Sequence, residues 1–270
     1  MRDHVRQNIL AAGCLMALGA GTLAAAQTPA APAPAAQTPA AAETLPSASQ
    51  IVDKYVEAIG GKAAWEKLTS RVSKGTFEIE QMPGEATEEI DAKAPDKQLT
   101  ITDAPSFLVK RGYNGTAGWE DMPQTGLHDL TGGQLTAMKR YSDFYYPVKL
   151  DELYPKMAVK SKESVNGHSA YVVEAIPPEG GPEQFYFDAD SGLLLRHVLE
   201  IDGPDGKVSF DSNFDDYRAV DGIKLPFLLH QSMGEFAWTI KLTDVKHNVP
   251  LDDSKFDKPA ADAGSAAPQN

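Results

Sequence analysis

The sequence predicts a mainly β protein with a few helices (α+β). The expected form is a curved antiparallel sheet or incomplete β-barrel of about ten or eleven strands, with an N-terminal helix and an inserted helical lid. Three observations predict it. Runs alternating apolar and polar residues recur between residues 71 and 248. Turn signals separate them: Tyr113-Asn114-Gly115-Thr116, Asp188-Ala189-Asp190-Ser191-Gly192, Asp202-Gly203-Pro204-Asp205-Gly206 and Val220-Asp221-Gly222. Glycine after Asn, Asp or Ser takes the positive φ that tight hairpins demand. Two stretches, at 47–68 and 134–146, break the alternation and space their apolar residues as helices do.

The first helical region opens with Ser47, and Gln50 completes a capping-box pattern. Ile51, Val52, Tyr55, Val56 and Ile59 form one stripe, and Gly60-Gly61 stops the helix. A further turn carries Trp65 and Leu68. Val72 to Gln81 sets Phe77 and Ile79 against Glu78 and Glu80, the mark of a sheet with one buried and one wet face. Ala86 to Lys93 is more polar and reads as an edge strand ended by Pro95. Gln98 to Asp103 contributes Leu99 and Ile101, Ser106 to Tyr113 contributes Phe107 and Val109, and Thr116 to Met122 contains Trp119.

Gly132-Gly133 then precede a helix over 134–146, where Leu135, Met138, Tyr141, Phe144 and Tyr145 share a face. Pro147 ends it, and Leu150, Leu153 and Tyr154 add a short apolar turn. Strands resume at Ala158 to Val165 and Ala170 to Ile176. Gln184 to Asp188 and Leu193 to Ile201 form a hairpin. Val208 to Arg218, Ile223 to Met233 and Phe236 to His247 complete the set.

Residues 1–26 read as a secretory signal: Arg2 and Arg6 lead an apolar run from Ile9 to Ala26, which ends in small residues. The expected address is the periplasm, with association to the outer membrane as a further option. Residues 27–46 form a Pro/Ala-rich, disordered linker, 47–259 the β domain and 260–270 a disordered tail. Cys14, the only cysteine, falls inside the signal without a lipoprotein box, so the processed chain would hold no thiol. Disulfides, cysteine-bound metals and thiol catalysis are then excluded together. The formal charge of −13 becomes about −14 once Arg2, Arg6 and Asp3 leave with the signal. Such a surface repels phosphate backbones, which disfavours nucleic acid; it serves solubility or meets a basic envelope protein.

No phosphate-binding loop, nucleophile elbow or zinc-helix motif occurs, and the six histidines show no metal spacing. Asp188 and Asp190 lack the remaining ligands of a calcium loop and read as a hairpin turn. Asn114-Gly115-Thr116 matches a glycosylation sequon but also reads as a turn. No catalytic residue, cofactor or metal is expected. The positive signal is an excess of large apolar side chains on the strands and insert. The candidates for an apolar cavity are Phe77, Ile79, Leu99, Ile101, Phe107, Val109, Trp119, Met138, Phe144, Phe187 and Trp238. One reading is a filled core sealed by the helices; the other is a cavity that they roof incompletely. At about 0.8 kcal/mol per methylene, a chain of about fourteen would gain on the order of 11 kcal/mol gross, enough for reversible carriage.

These residues resemble the periplasmic lipoprotein-carrier superfamily of LolA/LolB-type localisation factors and outer membrane lipoprotein-sorting proteins, over residues 47 to 259. The resemblance rests on Tyr113-Asn114-Gly115-Thr116-Ala117-Gly118-Trp119, on Tyr186-Phe187-Asp188 with Gly192-Leu193-Leu194, and on Tyr217 with Val220-Asp221-Gly222-Ile223-Lys224-Leu225-Pro226. It implies a non-enzymatic envelope protein that holds lipid or lipoprotein acyl chains in an open β-barrel, with a role in lipoprotein sorting. One departure stands out. The family's carrier latches its lid with the arginine of an Arg-Pro step, and here Lys93-Ala94-Pro95 occupies that place. Either other contacts hold the lid, or the ligand is not a lipoprotein. The alternative function is a periplasmic signalling or scaffold domain with a filled core and a protein partner.

Overall fold

The N-terminal helix forms where its capping pattern predicts. Ser47 Oγ accepts from Gln50 N at 3.2 Å, and Gln50 Oε1 accepts from Ser47 N at 2.9 Å. Helix α1 (Ala48–Ala58) buries Ile51, Val52 and Tyr55 and gives way to Gly60 and Gly61, whose φ values are 111° and 80°. Gly60 is also a point of close approach, since a Cβ there would lie 2.5 Å from the Gly222 carbonyl. Helix α2 (Lys62–Trp65) seats Trp65, whose indole N–H donates to Ile59 O at 3.3 Å.

In this computed structural model the described residues are 44–260, without 81–83, 85 and 204–205. The expected signal, most of the linker, the tail from 261 onward and the Pro204-Asp205 step lie outside them. The strands are β1 (Ser70–Ile79), β2 (Ala86–Lys93), β3 (Lys97–Ala104), β4 (Phe107–Asn114), β5 (Gly118–Met122), β6 (Gly126–Asp129), β7 (Lys156–Val165), β8 (His168–Ile176), β9 (Glu183–Asp188), β10 (Leu194–Gly203), β11 (Gly206–Val220), β12 (Ile223–Met233) and β13 (Phe236–His247). They pair antiparallel in one sheet of order β6-β5-β4-β3-β2-β1-β13-β12-β11-β10-β9-β8-β7. Two meanders, β1–β6 and β7–β13, are therefore zipped together by the β1–β13 ladder. The insert holds helix α3 (Gly132–Tyr141), a 3₁₀ turn at Tyr146–Val148 and helix α4 (Leu150–Leu153). It leads from one sheet edge, β6, to the other, β7. The sheet stays open, an incomplete barrel with few helices, as the sequence predicts.

The turn chemistry acts locally. Asn114 Oδ1 accepts from Thr116 N and Ala117 N at 3.0 and 2.9 Å, and Asp188 Oδ1 accepts from Asp190 N and Ser191 N at 3.1 and 2.6 Å. Asp221 and Gly222 both have positive φ, 50° and 88°, matching the twist of a two-residue hairpin.

Three expectations are corrected. Thirteen strands form among the described residues, against about ten or eleven expected; twelve fall in runs named above, and the thirteenth, β6, is only four residues long, too short to show alternation. Ala86–Lys93 is an interior strand between β1 and β3, not an edge. Its polarity is explained by its outer face, where Glu89 pairs with Lys74 and Lys255, and Asp91 with Lys255. The helix over 134–146 ends at Tyr141. Asp143 Oδ1 there accepts from Tyr145 N at 2.8 Å, a local bond that competes with helix continuation.

Residues paired across strands share a face, so the registers assign every strand residue to one of two sides. The inner face carries the main core: α1, α2, the insert and the strands meet around Ile51, Tyr55, Trp65, Phe144, Phe185 and Phe187. On the outer face, the segment after β13 folds back through a 3₁₀ turn at Asp253–Phe256. Phe256 is fully buried against Leu99 and Trp119, and Trp119 Nε1 donates to Phe256 O at 2.9 Å. Gly112 makes room for that indole, because a Cβ there would sit 2.4 Å from it. No described helix is long and apolar enough to cross a membrane.

Candidate functional site

A single row of inner-face residues crosses eight strands: Ile79, Trp238, Gln231, Ser212, His197, Phe185, Val173 and Val159. Its two ends differ. At Val173 and Phe185 the row is buried beneath the insert. At Ile79 and Trp238 it is partly exposed. The next row, Phe77, Ile240, Leu229 and Phe214, borders the core, and all but Ile240 keep part of their surface open. Aromatic rings line this region: Phe77 stacks on Trp238 at 6.2 Å, and Phe210 lies 5.9 Å from the same indole. On β4, Phe107 and Val109 are likewise half-buried on the inner face, opposite Ala104 and Thr102. The result is a partly exposed apolar strip at the hairpin-tip end of the central strands, beside a packed end. At the packed end the filled-core reading holds.

The eleven expected cavity residues divide accordingly. Phe77, Ile79, Phe107, Val109 and Trp238 lie partly exposed on the inner face. Phe187 is buried under α1, 5.2 Å from Tyr55, and Phe144 packs in the same core. Met138 buries itself from α3 against Tyr113 and Leu130. Leu99, Ile101 and Trp119 lie on the outer face beneath the C-terminal segment and do not join the others. Alternation within each strand is right, but the phase between strands depends on pairing, and the C-terminal cover supplies the burial that these residues need. Phe210 and Phe214 went unsingled; their apolar positions sit among polar neighbours in a long strand, Gly206–Val220.

Two acids on the inner face carry the polar geometry. Glu183 on β9 is 2% exposed. Its Oε1 accepts from Arg140 Nη2 at 2.6 Å, and its Oε2 accepts from the hydroxyls of Tyr154 and Tyr141 at 2.7 and 3.0 Å. His197 Nε2 lies 2.7 Å from Oε2, its ring stacked on Phe185 at 4.2 Å. Burial pushes this carboxyl up, but the His197 and Tyr154 hydrogen bonds and the Arg140 charge outweigh it and hold it below the ordinary glutamate value. Burial acts to lower the Arg140 guanidinium, but the Glu183 carboxylate, with Tyr154 and Tyr141 beside it, raises it above its ordinary value. Three of the four partners belong to the insert or its end, so this carboxylate fastens the insert to the sheet. The insert is also held by Phe144 N to Pro95 O at 2.9 Å and by the Tyr145 hydroxyl to Leu68 O at 3.1 Å. Ala94 supplies no latch; Lys93 turns to the outer face and donates to Leu251 O and Asp253 Oδ1.

Glu88 on β2 is the second acid, 3% exposed. Its Oε2 accepts from Thr102 Oγ1 at 2.7 Å. Burial lifts its carboxyl to about 7, with the Thr102 bond opposing. The described histidines are dispersed: His168 meets Asp188, His230 meets Thr239, and His247 meets Asp221. Among the described residues no group of three or more potential ligands could hold a metal ion. A separate cleft of about 260 Å³ opens between the start of α1 and the β9–β10 turn. Lys54 there already donates to the carbonyls of Ala189 and Asp190, at 2.7 and 2.8 Å.

No family model matches the chain, and no curated protein sequence matches it. Solved structures do resemble it. A DUF1329 family protein from Desulfovibrio piger shares 16% identity over 77% of this chain and 96% of its own, with a TM-score of 0.54. A LolA superfamily protein from Nitrosomonas europaea shares 12% over 79% and 99%, with a TM-score of 0.51. An outer membrane lipoprotein-sorting protein domain from Vibrio parahaemolyticus shares 12% over 77% and 95%, with a TM-score of 0.50. At such identities the likeness concerns architecture, and the architecture of this chain is a LolA-like fold.

Proposed function

We propose that this chain is a non-enzymatic envelope protein that binds acyl chains of lipids or lipoproteins in a hollow over this inner-face apolar strip. The observation that carries the reading is the partly exposed apolar surface of Phe77, Ile79, Phe210, Leu229 and Trp238, beside a firmly packed helical end. A structural core buries such side chains; a carrier keeps them available. The fold it shares with a lipoprotein-sorting domain supports the reading. The Glu183 cluster speaks against catalysis there, since its carboxylate is saturated by donors and shut away from solvent.

The test is direct. Natively purified protein is extracted with organic solvent and the extract is examined by mass spectrometry, while N-phenyl-1-naphthylamine fluorescence titrates the hollow. The protein should carry lipid or bind the dye, and Leu229→Glu should weaken dye binding at least about tenfold, because a carboxylate is poorly tolerated in an apolar site. A protein that neither carries lipid nor binds the dye refutes the proposal. One observation favours a protein partner instead: Phe236, at the β12–β13 tip, is 66% exposed. Co-purification of one stoichiometric protein with no lipid would favour that reading.

A further inference from the structure

The inner face holds an acid that the packing does not require. Glu88 pairs in register with Gly75 on β1 and Thr102 on β3. Gly75 presents no side chain, and the Lys241 and Leu242 backbone of β13 closes in there, within 3 Å of where a Cβ would lie, so no charged side chain meets the carboxyl from β1. Its diagonal neighbours Phe77, Ser73, Thr100 and Ala104, and its same-strand neighbours Ala86 and Ile90, include no cation. Beyond Thr102 lies Val109, a residue of the hollow. Thr102 satisfies Oε2, and among the described residues no hydrogen bond reaches Oε1. A buried carboxyl with one hydrogen bond and no cation costs free energy to maintain; an apolar residue would fill the position at less cost.

We propose that Glu88, oriented by Thr102, is the polar recognition point of the hollow and accepts a hydrogen bond from the polar end of a bound amphiphile, so that the site selects long-chain ligands bearing a hydroxyl or amine close to the chain. This rests on the hollow being the binding site. The chemistry follows from the residues. A carboxyl presents an acceptor oxygen whether or not it is protonated. A hydroxyl or amine can donate to it, an ether of the same length cannot, and an anionic end finds no counter-charge among the neighbouring side chains. One net buried hydrogen bond is worth up to about tenfold in affinity.

The experiment compares 1-dodecanol, its methyl ether and dodecanoate as displacers of N-phenyl-1-naphthylamine from the full chain. Wild type should bind the alcohol about tenfold more tightly than the ether, with dodecanoate the weakest. Glu88→Leu should bring alcohol and ether together while the ether binds as in wild type; its thermal melt checks that it folds. Glu88→Gln, which keeps an acceptor, should retain the preference. Equal binding of alcohol and ether by wild type, a preference that persists in the Leu variant, or its loss in the Gln variant overturns the role of Glu88 and leaves the hollow standing. If wild type binds no displacer and no dye, the hollow itself is lost, and this proposal with it.

Discussion

Glu88 and Glu183 are buried on the same face of the sheet and pull the pH dependence of stability in opposite directions. Glu183 is held below its ordinary value of 4.5, so its contribution is present above that pH and is lost as pH falls through its folded value. Glu88 is lifted from 4.5 to about 7, so the folded chain binds its proton more tightly than the unfolded chain. Its penalty is absent below 4.5, grows as pH rises and is complete above 7. The gap corresponds to about 3 kcal/mol. Urea unfolding of wild type and Glu88→Gln at pH 4.5 and pH 8 should therefore show wild type losing about 3 kcal/mol relative to the variant across that interval. Other titrating groups cancel in the difference. A constant difference would mean that the carboxyl is not desolvated as its 3% exposure indicates.

At the scale of elements, the insert is clamped by charge where sequence had suggested a lid. Arg140 leaves α3 and meets the Glu183 carboxylate, with Tyr141 and Tyr154 donating beside it. Removing one partner strands a buried charge, which typically costs about 3–5 kcal/mol. Arg140→Met should destabilise by that order, Glu183→Gln similarly, and the double variant by much less than the sum. Hydrogen exchange should rise in the Arg140 variant across residues 132–153 and leave β1 and β13 protected; an unchanged insert would mean that backbone contacts such as Phe144 to Pro95 suffice. None of this was legible beforehand. Glu183 and Glu88 stand in the sequence as ordinary strand acids, and their burial arises from elements far along the chain. Turns were legible, because Asn114 and Asp188 bond to amides two and three residues away. Strand alternation was legible for the same local reason. The side to which Leu99, Ile101 and Trp119 turn was not, because Phe256, 137 residues beyond Trp119, decides it.

Across the whole molecule, the three tryptophans mark three environments. Trp65 is 1% exposed in the helix-packed end, and Trp119 is 2% exposed on the outer face under the C-terminal segment. Trp238 stands half-buried in the inner-face strip of the proposed hollow, its indole N–H donating to Gln231 Oε1 at 3.0 Å. A bound chain should therefore touch one tryptophan and not the other two. Bromine quenches indole fluorescence at contact, so 12-bromododecan-1-ol reports which environment it enters. It should quench part of the wild-type emission, shift what remains towards that of shielded indoles, and leave Trp238→Phe unquenched. The variant keeps an aromatic ring beside Phe77 and Phe210, and dye displacement should show that it still binds the alcohol. Quenching that survives in Trp238→Phe would put the chain in the packed end or on the outer face. Either outcome conflicts with side chains there that leave 1–2% of their surface free, because a ligand could enter only by displacing α1 or the C-terminal segment from the sheet. Binding in the proposed hollow needs no such rearrangement, because Trp238 is already partly exposed, and for that reason quenching confined to Trp238 should appear without any loss of secondary structure by circular dichroism.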